Sequence, residues 1–222
     1  MIHNKKVPWD AIDFVLLDLD GTLLDKYFDD YFWEELIPEK FAALNHISVD
    51  AAKVEIYPLY QSQARKLAWS DIHFWSRQFG FDIQVLKKTV THRIRVHDGV
   101  ILFLEFLKES KKKVALLTNA HSKSVEIKLS HAPLSRYFEK IISANEAGFP
   151  KEDIGYWKVA QGILGFDNDR SLFVDDNEEV MKMAQQFGIL HLLYKSYASS
   201  QIPPKDSETF TSIRDFREII PS

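Results

Sequence analysis

A chain of 222 residues with 45% hydrophobic content is long enough to bury a proper core, either as one large domain or as a domain carrying a substantial insertion. With 28 basic and 32 acidic residues the net charge is −4, which argues against a surface devoted to nucleic acid or to an anionic membrane. The absence of cysteine excludes disulfides and thiolate metal sites, so a bound metal is expected on oxygen ligands such as Asp carboxylates, which suit a hard cation such as Mg2+.

The opening MIHNKKVPWDAIDF has no apolar segment of signal-peptide type, and no apolar stretch in the chain approaches the roughly 18 residues of a membrane span. A soluble cytoplasmic protein is expected. The first predicted strand lies in FVLLDLDGTLLD (14–25), where an apolar run suited to a sheet covered on both faces ends in Asp18 and Asp20. Strand side chains alternate faces, so these two carboxylates point the same way and repel unless something positive holds them.

From Asp25 to His97 there is no convincing strand. Four helices are predicted instead, in DDYFWEELIPEKFAAL, VDAAKVEIYPLYQSQARKL, SDIHFWSRQFG and DIQVLKKTVTHRIRV. Asp29 or Asp30 is expected to cap the first, Ser48 or Asp50 the second and Ser70 the third, with Gly80 ending the third. From about residue 98 strand and helix patterns alternate, with strands in KVALLTNA (113–120), KIISANE (140–146), SLFVDDNE (171–178) and GILHLLY (188–194). SYASSQIPPKDSE (196–208) reads as the most linker-like piece, followed by a short terminal helix. The expected fold class is α/β: a Rossmann-like parallel sheet core made of 1–24 and 98–222, with right-handed crossovers and an all-helical insertion at 25–97.

Ligands of open parallel sheets bind at the carboxyl ends of the strands, and those ends are unusually polar here. They carry Asp18, Asp20, Gly21 and Thr22, then Thr118 and Asn119, then Lys151 in GFPKED, then Asp175 and Asp176. Three or four converging carboxylates need a divalent cation, which would keep them ionised at neutral pH. The Thr118 hydroxyl, the amides near Asn119 at a helix start and the Lys151 ammonium suit a phosphate. Asp18, nearer the strand, is the expected nucleophile. Asp20 is the expected general acid and base, Gly21 a sharp turn, and Thr22 a cap for the segment after it. Each signal alone has an ordinary explanation, as a solvated DxD pair, a helix cap, a surface lysine or a turn. Their order at successive strand ends is what those explanations leave out.

DLDGT (18–22), LLTNA (116–120), Lys151 and FVDDNEE (173–179) resemble the four motifs of the haloacid dehalogenase-like hydrolase superfamily. The resemblance implies a Rossmann-like core, Mg2+ dependence and an aspartyl-phosphate at Asp18. It implies metal ligands from Asp18, the main chain of Asp20 and the Asp175–Asp176 pair, with Asp176 the more usual direct ligand. The insertion resembles the helical cap of one large subgroup. Two departures are visible: Pro150 precedes Lys151 where a proline commonly comes after, and only Glu178 or Glu179 is at hand as a further acid in the fourth motif. True dehalogenases lack an acid at the position of Asp20, so its presence favours phosphate chemistry. YFDDYFWEELIPEKF (27–41), GFPKED and the closing REIIPS are similar to bacterial purine 5'-nucleotidases of this superfamily, which implies a purine nucleoside monophosphate, GMP or IMP, as substrate.

The insertion is rich in aromatics, with Tyr27, Phe28, Tyr31, Phe32, Trp33, Trp69, Phe74 and Trp75. Their helical spacing reads as the core of a small bundle more than as platforms for a base. The segment Asp25 to Asp29 is expected to pass over the site; His73, Arg77, His92 and Arg93 could reach a ligand but read more simply as solvated. A sugar-phosphate or phosphoglycolate-type phosphatase, a phosphomutase and a catalytically silent phosphate-binding module remain alternatives, and the sequence sets no oligomeric state.

Overall fold

The computed structural model describes residues 5–221. The first four residues of the N-terminal stretch, and Ser222 of the closing run, lie outside the described residues. Six parallel strands, β1 Phe14–Leu17, β2 Lys113–Thr118, β3 Lys140–Ser143, β4 Ser171–Asp175, β5 His191–Lys195 and β6 Ser212–Ile213, form one sheet in the order β3-β2-β1-β4-β5-β6. Central β1 is buried along its whole length, with Leu17 paired to Leu116 on one side and to Val174 on the other.

Alternation of side chains sorts the two faces. Val15 and Leu17 join a cluster with Phe103 and Leu107 of α6 (Val100–Glu109) and Val125 of α7 (Ser122–His131), the helices being numbered in chain order. Phe14 and Leu16 join Trp157 of α9 (Ile154–Leu164) and Met181 of α10 (Glu178–Phe187) on the other face. Chain order runs outward from β1 through β2 and β3, then returns to β4 and runs outward the opposite way. The reversal beside β1 opens a crevice at the carboxyl ends of β1 and β4.

Between β1 and α6 lie helices α1 Tyr27–Tyr31, α2 Ile37–Asn45, α3 Val49–Gln63, α4 Ile72–Phe79 and α5 Ile83–Thr89, around a separate apolar cluster that includes Phe28, Phe32, Ile56, Trp75 and Phe79. A π-helical turn, Phe32–Leu36, joins α1 to α2. Ser48 caps α3 and Gly80 ends α4 in the left-handed conformation, as read from the sequence. Three expectations differ. Asp71, not Ser70, caps α4. Neither Asp29 nor Asp30 caps α1, which starts at Tyr27 and contains both of them. The fourth helix stops at Thr89, and Val96 instead pairs with Leu24 in an isolated antiparallel bridge, so the two segments linking insertion and sheet lie side by side there.

In the sheet, β3 ends at Ser143 because Glu146 reaches back to accept from the Ser143 N–H and hydroxyl, starting the short helix α8 Ala144–Ala147. β5 begins at His191, since Gly188 (φ 106°) is needed to end α10. The expected terminal helix is one 3-10 turn, Phe216–Ile219, preceded by the two-residue β6. The linker-like 196–208 has no regular structure but is packed: Lys26 N–H donates to the Ala198 carbonyl and Ser200 N–H to Asp25. Among the described residues no helix is long and apolar enough to cross a membrane.

Candidate active site

β1 delivers Asp18 to the crevice buried, and the chain then turns sharply through Gly21, at φ 85°. A side chain at that position would put its Cβ 2.3 Å from Asp176 Oδ2, so the close approach of Asp176 to the DLDGT turn requires glycine. Thr22 caps no helix; it is buried, and its hydroxyl has no hydrogen-bond partner among the described residues.

Lys151 sits between β1 and β4. The residue is only 2% exposed, and its ammonium donates to Asp18 Oδ1 at 2.5 Å and to Asp175 Oδ2 at 2.6 Å. Asn119 holds that lysine's loop, accepting from Lys151 N–H at 2.8 Å and donating to Glu152 at 2.9 Å. The departure in which Glu152 replaces the usual proline therefore has a local role, as Asn119's second partner. Thr118 is buried at the end of β2, its oxygen accepting from Ala120 N–H.

Asp18, Asp175 and Asp176 each offer an oxygen within 4.8 Å of the other two. Burial pushes Asp18 up to about 7 against the pull of Lys151, with Asp175 and Asp20 adding repulsion. Burial and repulsion likewise take Asp175 up to about 6 and Asp176 to about 7. Burial opposes the charge on Lys151, but Asp175 and Asp18 outweigh it and hold the ammonium well above the ordinary lysine range. An all-oxygen set of three crowded carboxylates, short of positive charge, is the donor chemistry a hard divalent cation takes. The fit is good at Asp18, Asp175 and Asp176.

The Asp20 side chain is not in that set. It leaves the cluster and receives a hydrogen bond from Lys128 of α7 at 2.6 Å, leaving only its main chain for a metal. Lys128 also donates to Asp29 of α1 at 2.5 Å, and Asp29 accepts from Lys87 of α5 at 2.8 Å. Burial raises the Asp20 carboxyl against the pull of Lys128. Burial works the same way on Asp29, but Lys128 and Lys87 prevail and hold it well below the usual carboxylate range.

Asp29, Lys87 and Lys128 are not singled out by the sequence as site residues. Their signal is a lysine on an apolar stripe: buried Ile83 and Lys87 lie one turn apart on α5, with buried Val90 just after the helix, and Lys128 is buried beside Ser124 and Val125 on α7. His121 is also missed. It caps α7 by accepting from Lys123 N–H and sits edge-on to His73 of the insertion.

The crevice widens into a cavity of about 660 Å3 between sheet and insertion, running from Asp18 to Trp33, Tyr60 and Trp69. That volume suits a small-molecule ligand. Phe28, Phe32 and Trp75 are core residues, as the spacing predicts, whereas Trp69 is 46% exposed on the cavity wall. Arg77 and His92 point to solvent; Arg93 stacks on Tyr31 and donates to the Tyr27 hydroxyl. Glu178 pairs with Lys182 and Glu179 with Arg65 of the insertion.

Residues 12–188 match the haloacid dehalogenase-like hydrolase family. Over 216 residues, 97% of each chain, the sequence is 37% identical to the GMP/IMP nucleotidase YrfG of Escherichia coli. Over 53% of its length it is 27% identical to a Pseudomonas (S)-2-haloacid dehalogenase. Among solved structures, an HAD phosphatase from Thermococcus onnurineus superposes with a TM-score of 0.79 at 20% identity, covering 93% of this chain and 95% of that one.

Proposed function

Since the chain belongs to the haloacid dehalogenase-like hydrolase family, we propose that it is a Mg2+-dependent phosphomonoester hydrolase acting on purine nucleoside monophosphates, GMP and IMP among them. The observation that carries the chemistry is the separation of two carboxylates on one strand end: Asp18 lies in the three-carboxylate cluster with Lys151, and Asp20 lies apart on Lys128. One is placed to attack and the other to handle a proton. The purine assignment is supported by the identity to the E. coli nucleotidase along nearly the whole chain.

Asp18, the Asp20 carbonyl and the Asp175–Asp176 pair would hold Mg2+, which when bound supplies positive charge to the phosphoryl oxygens. Lys151 and the Thr118 hydroxyl take the remaining phosphate oxygens, with Asn119 keeping the lysine's loop in place. Asp18 attacks phosphorus in line; the bond to the leaving oxygen breaks and Asp20 gives that oxygen its proton. Asp20 then takes a proton from the water that attacks the aspartyl-phosphate, releasing orthophosphate and restoring Asp18. Residues 1–24 and 98–222 serve as the catalytic core and 25–97 as a cap that closes over the substrate and limits water. The cysteine-free composition suits a reducing cytoplasm.

The test is phosphate release, with Mg2+, from GMP, IMP and AMP set against phosphoglycolate and hexose phosphates, and with an Asp18→Asn variant as control. GMP and IMP are expected to lead, and Asp18→Asn to be inactive. A rate for IMP no better than for hexose phosphates removes the purine assignment and leaves the phosphatase standing; full activity in Asp18→Asn removes the nucleophile.

A further inference from the structure

Four charged side chains outside the carboxylate cluster form one chain of contacts that crosses from sheet to insertion. Asp20 accepts from Lys128, Lys128 donates to Asp29, and Asp29 accepts from Lys87, with every separation between 2.5 and 2.8 Å. Lys128 is 1% and Lys87 2% exposed. Phe28, Phe32 and Trp33 surround the Lys87 ammonium, 4.5 to 5.4 Å from their ring centres. Two positive and two negative charges cancel, which is what lets the two lysines stay buried beneath partly exposed Asp20 and Asp29.

The connectivity is asymmetric. Asp20 and Lys128 belong to the sheet and its helix, whereas Asp29 and Lys87 both belong to the insertion. A lysine ammonium is a compact charge on a flexible four-carbon stem and has no preferred direction of its own. Two carboxylates, on opposite sides of the domain boundary, fix where this one lies.

We propose that Lys128 and Asp29 are positioning residues for Asp20: only with the insertion seated does Asp29 pin the Lys128 ammonium, and the pinned ammonium sets the direction of the Asp20 carboxyl. The proton donor is thus assembled when the cavity is covered. When the insertion withdraws, Asp29 and Lys87 leave together as a neutral pair, and Lys128 loses one of its two anchors. This inference rests on the reading of Asp20 as general acid and base.

Leaving-group dependence separates positioning from a merely structural role. An alkyl leaving oxygen needs the proton from Asp20, whereas a p-nitrophenolate leaves without one. Lys128→Met and Asp29→Asn are compared with Asp20→Asn, reading kcat and KM separately for p-nitrophenyl phosphate and for an alkyl monophosphate (GMP, or the best hexose phosphate of the panel). In both variants kcat/KM for the alkyl ester is expected to fall by roughly 100-fold or more, the scale of acid–base catalysis, and by less than about 10-fold for p-nitrophenyl phosphate. Either change added to Asp20→Asn is expected to cost nothing further, because it acts through that residue.

Equal losses on the two esters, or losses that multiply with that of Asp20→Asn, overturn the proposal. If Asp20→Asn itself shows no ester dependence, the acid–base reading falls as well. If Asp20→Asn shows it and the other two do not, only the positioning role falls. Should Lys128→Met not fold, the nearly isosteric Asp29→Asn decides by the same ratio.

Discussion

Gly21→Ala probes the proposed cation site from the backbone side. Two costs are built into the position. At φ 85° a side chain forces the left-handed conformation, worth about 1–2 kcal/mol, which at this chain length lowers Tm by roughly 2–8 °C. The new Cβ would also lie 2.3 Å from Asp176 Oδ2 and 2.6 Å from its Cγ, so the carboxylate must retreat by about 1 Å to reach ordinary contact. Asp176 has little room to retreat while keeping an oxygen within 4.8 Å of both Asp18 and Asp175. The half-saturating Mg2+ concentration is therefore expected to rise by roughly 10- to 100-fold, the range seen when the support of a metal ligand is disturbed.

Gly165→Ala is the control. Gly165 has a similar φ of 66° at the end of α9 and nothing within 4 Å of an added Cβ, so it isolates backbone strain from the clash. The assay is a Mg2+ titration of p-nitrophenyl phosphate hydrolysis beside thermal unfolding of both variants. Similar losses of Tm with a raised Mg2+ midpoint only in Gly21→Ala are expected. An unchanged midpoint in Gly21→Ala would refute the reasoning that ties Gly21 to the cation through Asp176.

Two further outcomes concern pH. Burial first, then mutual repulsion, lifts Asp18, Asp175 and Asp176 to about 7, 6 and 7 from an unfolded value of 3.8, so the metal-free native state binds more protons than the unfolded chain between those limits. Its stability should decline as pH rises through that window, and the gain in Tm on adding Mg2+, which favours the ionised form, should grow from about pH 5 to about pH 8; a gain that is flat across that range in thermal-shift measurements with and without chelator would contradict this. His97 behaves oppositely: burial drives it down to about 4, so the unfolded state binds the extra proton between about 4 and 6.5, and the native protein loses roughly 3 kcal/mol relative to His97→Gln as pH falls through that window. Parallel stability curves for the two proteins from about pH 7 to about pH 4 would exclude that role for His97, whose Nε2 faces the Ala198 carbonyl at 3.1 Å.

The readable and unreadable parts of this site differ in the range of the forces that make them. A strand buried on both faces must be apolar throughout, so FVLL is recognisable from composition, and the turn after it must be polar to face a crevice; Asp18 and Asp20 come from that local rule. Gly21 comes from it too, although the reason it must be glycine, Asp176, lies more than 150 residues away. Asp29 is misread because an acid near a helix start is usually a cap, and nothing local distinguishes a cap from a buried partner. What could have raised the question is Lys87, spaced four residues from Ile83 and three from Val90, on a stripe that is otherwise core. A lysine there is tolerated only with a carboxylate beside it, so its position already requires an acid. Which acid is a tertiary fact: Asp29 lies 58 residues from Lys87 and 99 from Lys128, and only the seating of the insertion on α7 brings the three together. The same seating brings Asp29 to the ammonium that pairs with Asp20, so the part of the site that pattern could not supply is the part that depends on where the insertion sits.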